Sequence, residues 1–391
     1  MGTVEETGPV VRQKETLTML IHEPDVEYYD EMERRLQEKF PDYEIESLEW
    51  NLDCVEKQVK TTIVKGNSIE LVKWFPNQMD SFLGSQMVMD LTPYVDEDWK
   101  SIWEEWALDL GIYDGKLYAL PSVVVYPVLE VNEELMEELG IPVKDNWTWD
   151  EFAVVCRQIK ESSHVFPFGI SSSRVCWFMR NASMQVWDSK EEMEAFQRGE
   201  IPVSDSRFCQ ALKKINELFV ENYSYPGDGA FSQDKEQLEK AFEQGKIAML
   251  FNVNNGVLES RERMLQAGWK KLRVVQFPDM GSEKCDYLLG GCEGYFIPKS
   301  TEHPEEAVQI LKELTGKPML SMLQAKGEAV PLKDSGEESA MMERVYPQEL
   351  MNLSYKLYDY INYRFALEYY ANPEKTMETL EDLRLEAING Q

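Results

Sequence analysis

Histidine is nearly missing from this chain, with three (His22, His164, His303) in 391 residues, all far apart in sequence. The six cysteines (Cys54, Cys156, Cys176, Cys209, Cys285, Cys292) form no CxxC pair and no zinc-type spacing. A metal centre is therefore not expected. In a chain long enough for large cores, buried thiols are expected rather than a disulfide scaffold. Positive charge is also short: 40 Lys+Arg face 71 Asp+Glu, a formal net charge of −31. Such a surface repels a phosphate backbone, and no basic stripe with interleaved aromatics occurs, so nucleic acid is excluded as a partner. An anionic membrane surface is disfavoured for the same reason, and no apolar run reaches the roughly 18 to 20 residues of a spanning helix. GxSxG, P-loop, HExxH and Gly-rich dinucleotide motifs are absent. So are internal repeats and long low-complexity linkers. The opening MGTVEETGPVVRQKETLTML lacks the charged and apolar regions of a signal peptide, so either the chain is cytosolic or a leader has been removed. Residues 1–15 read as a flexible polar tether.

What is present is core material. Hydrophobic residues make up 43% and aromatics 11% of the chain, which excludes disorder. Single cores stop growing at roughly 250 to 300 residues, so two domains are expected. Near the start, a strand at Leu17–Ile21 precedes Val26, Tyr29, Met32, Leu36 and Phe40 at helical spacing. A β-type segment at Tyr43–Trp50, a helix over Asp53–Lys65 and the run IELVKWF complete a β-α-β-α-β order, which predicts an α/β domain with a mainly parallel sheet. Trp99, Ile102, Trp103, Trp106 and Leu110 predict one amphipathic helix with a buried tryptophan stripe. TWDE (Thr148–Glu151) spells a capping box, and Pro304 and Gly316 bracket another helix. Strands are expected at FPFGIS, at Ile247–Phe251, at LRVVQF and at CEGYFIPKS, and the tail from Glu349 reads as helical. The stretch GKLYALPSVVVYPVLEVN has an unbroken β-branched run and no alternation, as a strand covered on both faces would. With no linker between the halves, it reads as a hinge strand passing from one domain to the other.

Six further segments, LTPYV, YDGKLYALP, VLEVNEELMEELGIP, TWDEF, AFEQGKIAML and FIPKSTEHPEEAVQILKELTG, resemble the extracellular solute-binding proteins of ABC importers, family 1, the maltose and oligosaccharide type. They occur in the family's order, and the resemblance covers roughly residues 16–391. One departure is Val131, where the family commonly has a tyrosine before the asparagine. The resemblance implies an α/β, two-lobed periplasmic-binding-protein-like fold with an interlobe hinge and a ligand cleft. It implies a first lobe of residues 16–127 and 292–329 and a second of 128–291 and 330–391. It further implies a monomer that delivers a carbohydrate to the permease subunits of an ABC transporter. It places the protein outside the cell, periplasmic or as a Gram-positive lipoprotein whose lipid-bearing cysteine precedes the tether. No cofactor is implied.

In parallel α/β lobes ligands sit beyond the carboxyl ends of strands. That rule selects His22 and Glu23 after the first strand, and Trp74, Phe75, Asn77, Gln78 and Asp80 after the third. A sugar needs aromatic faces for its C–H surfaces and amides or carboxylates for its hydroxyls, and WFPNQMD offers both. From the second lobe, Asn252 and Asn254 follow a strand, in a sequence a plain turn would also use. Tyr126 lies in the hinge strand. Gly290 and Gly291 precede the second crossing, where bare backbone could meet a ligand, and Glu293 follows them. By resemblance, Trp177 falls where the family places a stacking aromatic. By resemblance too, Tyr358 is the aromatic of a late helix, sharing its face with Asn362. Two other readings stay open at this stage. A glycoside-acting enzyme would pair carboxylates among Glu23, Asp80 and Glu293. The same fold could instead take a peptide, a polyamine or a ferric ion, the last through Tyr28-Tyr29 or Tyr369-Tyr370.

Overall fold

A computed structural model describes residues 14–21, 27–49, 55–65, 67–76, 79–172, 174–197, 200–202, 204–281, 288–333 and 345–347. They divide into two compact units. The first holds the described residues up to Val123, with Cys292–Gln324 and Val330–Lys333. The second holds Val124–Gly291 and Ala325–Ala329, and β12 below belongs to it.

In the first unit β1 (Glu15–Ile21), α1 (Glu27–Lys39), β2 (Tyr43–Glu49), α2 (Val55–Val64) and β3 (Leu71–Trp74) alternate. β1 runs parallel to both neighbours, with Leu17 opposite Ile45 and Met19 opposite Leu71. Helices cover both faces, which is why β1 shows no polar alternation. Leu17, Met19 and Ile21 pack with Tyr29, Met32 and Leu36 of α1, while Leu20 packs with Val59 of α2. α3 (Asp80–Gly84), α4 (Glu97–Lys100), α5 (Glu105–Asp109), the small hairpin β4 (Ile112–Tyr113) and β5 (Lys116–Leu117), and β6 (Leu120–Val125) follow.

The single helix expected over Trp99–Leu110 is corrected to the two short helices α4 and α5. Trp103 between them forms a β-bridge with Leu332, and the Glu104 N–H donates to the Pro331 carbonyl, so tertiary pairing replaces the helical bonds of that turn. Trp99 and Trp103 are nonetheless buried.

The second unit begins in β6 and continues through β7 (Pro127–Asn132), α6 (Glu133–Glu138), α7 (Trp149–Ser162), β8 (Phe166–Gly169), α8 (Val175–Met184), α9 (Lys190–Gln197) and α10 (Ser206–Val220). α11 (Lys235–Glu243), β9 (Ile247–Val253), α12 (Val257–Gln266) and β10 (Leu272–Gln276) complete it. The sheet order is β10-β7-β9-β8. β7 is antiparallel to both neighbours, and β8 and β9 are parallel. Leu129 and Val131 face Phe251 and Met249 in an aromatic-rich core, where the Phe178 and Phe277 rings stack at 5.8 Å. The void among these rings measures about 20 Å³ and is lined by apolar side chains alone, room for about one water and too small for a sugar.

Chain direction is set locally at several joints. The Asn132 side chain ends β7 and caps α6, accepting from the Leu135 N–H at 3.1 Å. The Thr148 and Glu151 side chains accept reciprocally from each other's backbone N–H, at 3.3 and 3.1 Å. β11 (Leu288–Phe296), α13 (Pro304–Leu314), α14 (Lys317–Ala325) and β12 (Val345–Pro347) finish the described chain. β11 is antiparallel to β3, pairing Gly294 with Trp74, and also pairs with β6. A Cβ on Gly294 would stand 2.2 Å from the Leu120 carbonyl oxygen, so only glycine permits this approach. The chain changes unit inside both strands, after Val123 in β6 and after Gly291 in β11. The tail helix expected from Glu349 lies outside the described residues.

Candidate functional site

The first unit presents the carboxyl end of β3. Trp74, its last residue, is half-buried, and its ring meets the edges of Phe75 (5.4 Å, 71°) and Phe82 (6.3 Å, 75°). Two aromatic braces hold the indole at the strand end. Asp80 opens α3. His22, Glu23, Asn77 and Gln78 lie outside the described residues, as do Tyr358 and Asn362.

Beside Trp74, β3 carries a feature the sequence reading missed. Lys73 is 3% exposed, forms an ion pair with Glu293 of β11 at 2.7 Å, and donates to the Tyr29 hydroxyl at 2.9 Å. Glu293, expected near the ligand, is thus engaged in a buried pair that fastens β11 to β3. The only hint was a lysine inside the apolar run IELVKWF. Tyr29, one of the tyrosines considered for iron, is 1% exposed and held by Lys73.

In the second unit three of the expected residues lie around one strand end. Tyr126, half-buried between β6 and β7, donates its N–H to Asn254 Oδ1 at 2.8 Å, and its carbonyl accepts from the Asn254 N–H at 3.1 Å. Asn254 Nδ2 donates to the Val124 carbonyl at 2.8 Å, so one amide clasps the end of β6 and the residue that joins it to β7. Asn252, two residues earlier on β9, is 2% exposed. Its Nδ2 donates to Glu130 Oε1 at 2.7 Å, and its Oδ1 accepts from Arg174 Nη1 at 2.5 Å. The Ser260 hydroxyl of α12 donates to the second Glu130 oxygen. Burial pushes the Glu130 carboxyl up to about 7, although its hydrogen bonds to Ser260 and Asn252 oppose the rise. Glu130, Ser260 and Arg174 were not anticipated; a lone acid in the run VLEV was the available signal.

Trp177 lies in the first turn of α8, three residues after Arg174. Gly290 stands in β11 opposite Pro347 of β12, and Gly291 is buried beside it. A further pocket of about 310 Å³ opens between α7 and α10, lined by Trp149, Asp150, Arg157, Lys214, Glu217 and Tyr223 among others. It contains none of the expected residues.

Chemically, the Asn252 and Asn254 amides are engaged within the chain, so the strand end of the second unit presents Tyr126 and the Arg174 guanidinium, and that of the first unit the Trp74 ring. Among the described residues, no group of three His, Cys, Asp or Glu converges to hold a metal ion. No helix among them is long and apolar enough to cross a membrane.

The family model described as "Bacterial extracellular solute-binding protein" matches residues 25–319. A binding protein of Brucella abortus (strain 2308) is 21% identical over 290 residues, covering 73% of this chain and 67% of its own. Among solved structures, the GacH receptor of Streptomyces glaucescens, seen unliganded and with acarbose, superposes with a TM-score of 0.78 at 16% identity, over 97% of this chain and 99% of its own. The substrate-binding protein Lmo0181 of Listeria monocytogenes, in complex with cycloalternan, gives 0.72 at 17% over 96% and 100%. RafE in complex with raffinose gives 0.76 at 17% over 95% and 98%. The fold is that of the two-lobed periplasmic solute-binding proteins. With three quarters of its length matched by the family model, this chain belongs to the bacterial extracellular solute-binding proteins.

Proposed function

We propose that the protein captures a carbohydrate, an oligosaccharide, and delivers it to the permease subunits of an ABC importer. The observation that carries this reading is the strand end of the second unit, where Tyr126 and the Arg174 guanidinium gather at the end of β9, held there by the Asn254 and Asn252 amides. In the first unit, the end of β3 has the Trp74 ring as an aromatic face of its own. The named ligands of structural relatives, acarbose, cycloalternan and raffinose, support a sugar. Binding is reversible and involves no covalent chemistry. A hydroxyl matched to a buried amide contributes, and an unmatched one costs about 1 to 3 kcal/mol, which is the basis of selectivity. The protein works outside the cell as a monomer, either as a lipid-anchored surface protein or in the periplasm.

The test is a thermal-shift screen against acarbose, maltotetraose, raffinose and chitin oligosaccharides, alongside peptides, polyamines and ferric citrate. A shift with one sugar series, with the sugar recovered unchanged by chromatography, supports the reading. A shift with another class alone overturns the sugar, and appearance of product overturns the absence of catalysis. Trp74→Ala should weaken sugar binding about fivefold by calorimetry, the loss of roughly 1 kcal/mol of aromatic stacking, with the chain still folded.

A further inference from the structure

Glu130 interrupts the apolar run of β7 and is fully buried. It shares one face of the sheet with Leu250, directly opposite, and with Asn252 further along β9. Each neighbouring element brings a defined group to it. β9 brings the Asn252 amide and α12 the Ser260 hydroxyl. α11 brings Glu239, which repels and is itself paired with Arg263 of α12 at 2.7 Å and Lys235 at 3.6 Å. β10 brings only Val274, and the segment before α8 brings the attracting charge of Arg174.

The hydrogen-bond inventory makes this arrangement directional. An ionised carboxylate only accepts, so Asn252 must turn its NH₂ toward Glu130 and its Oδ1 away. That oxygen is then available to Arg174 Nη1 and to the Val253 N–H, at 2.5 and 2.9 Å. A protonated carboxyl carries a donor and accommodates the Asn252 amide in either orientation. Its loss of charge also removes an attraction on Arg174.

We propose that Glu130 is a positioning residue for the solute site: ionised, it fixes the Asn252 amide and through it the Arg174 guanidinium, and proton uptake lowers solute affinity. The inference rests on the reading of Arg174 as a solute-site residue. Burial sets this carboxyl at about 7, so the change falls within ordinary working pH. The carboxylate itself stays within the core and need not touch the solute.

The experiment compares the full chain with Glu130→Gln at about pH 5.5 and about pH 8.5, on either side of the transition. The glutamine keeps the size, its oxygen accepting from Asn252 and its NH₂ donating to Ser260. The first readout needs no sugar: hydrogen exchange of the peptide spanning residues 171–178, corrected for intrinsic rates. The natural chain should protect this segment more at the higher pH, and the variant should show no difference. The second readout is calorimetry with maltotetraose and raffinose. Affinity should fall about fivefold from high to low pH in the natural chain, one hydrogen bond's worth, and show no pH dependence in the variant. A pH dependence that survives in Glu130→Gln, or none in the natural chain, overturns the proposal. If neither sugar binds while the exchange difference is present and disappears in the variant, the carbohydrate reading fails and the positioning of Arg174 stands. Should Glu130→Gln not fold, Ser260→Ala replaces it. Losing one donor to the carboxylate must move the transition to higher pH, and an unmoved midpoint overturns the proposal.

Discussion

Lys73 and Glu293 illustrate how a residue's role depends on its surroundings. Each is nearly inaccessible, and each would be strongly disfavoured alone. Glu293→Gln should therefore destabilise the first unit by about 3 to 5 kcal/mol, because it takes a counter-charge away from the buried Lys73. Replacing both by apolar residues of similar size should recover most of that loss. Urea unfolding of the three chains checks both statements. Asn252 and Asn254 make the complementary point. Side by side in FNVNNG they look equivalent, but Asn254 fastens the β6–β7 junction while Asn252 joins a core network of Glu130, Ser260 and Arg174. Nothing in a one-letter code separates them, since their difference lies in contacts more than a hundred residues away in sequence.

Among the elements, α7 was the most legible. Its capping box occupies four consecutive residues, and the hydrogen bonds form as the spacing requires. Thr148→Ala should cost about 1 kcal/mol, read from the shift in denaturation midpoint. The α4–α5 pair was misread because the tryptophan periodicity persists through a bend, and the pairing of Trp103 with Leu332 is invisible to local pattern. β7 was legible as a buried strand but not as one with an acid in its core. Its Glu130 makes stability depend on pH in an unusual direction. The folded carboxyl sits at about 7 against an ordinary 4.5, so between those values the folded state keeps a proton that the unfolded state has released. This contribution is greatest below about pH 4.5 and is lost as pH rises through 7, by about 3 kcal/mol in all. The difference in unfolding free energy between the natural chain and Glu130→Gln, followed by urea from pH 4.5 upward, should show that slope.

For the whole molecule the dominant quantity is the net charge of −31. Self-repulsion at that charge is screened by salt, so the melting temperature should rise from low ionic strength to about 0.5 M sodium chloride, measured by calorimetry without ligand. The α/β class and family membership were readable along the chain, because caps, turn glycines and buried runs are local or follow a short period. Leu17–Ile21 and Ile247–Phe251 were identified as strands because propensity and burial agree there. Composition alone argued against a nucleic-acid partner, since charge is counted without coordinates. What only tertiary structure decided is which polar residues meet. The pairing of Lys73 with Glu293, the Asn254 clasp on the β6–β7 junction, and the path from Ser260 through Glu130 to Arg174 join residues distant in sequence. Hydrogen bonds and ion pairs act over about 3 Å between atoms, and only the folded chain sets those distances.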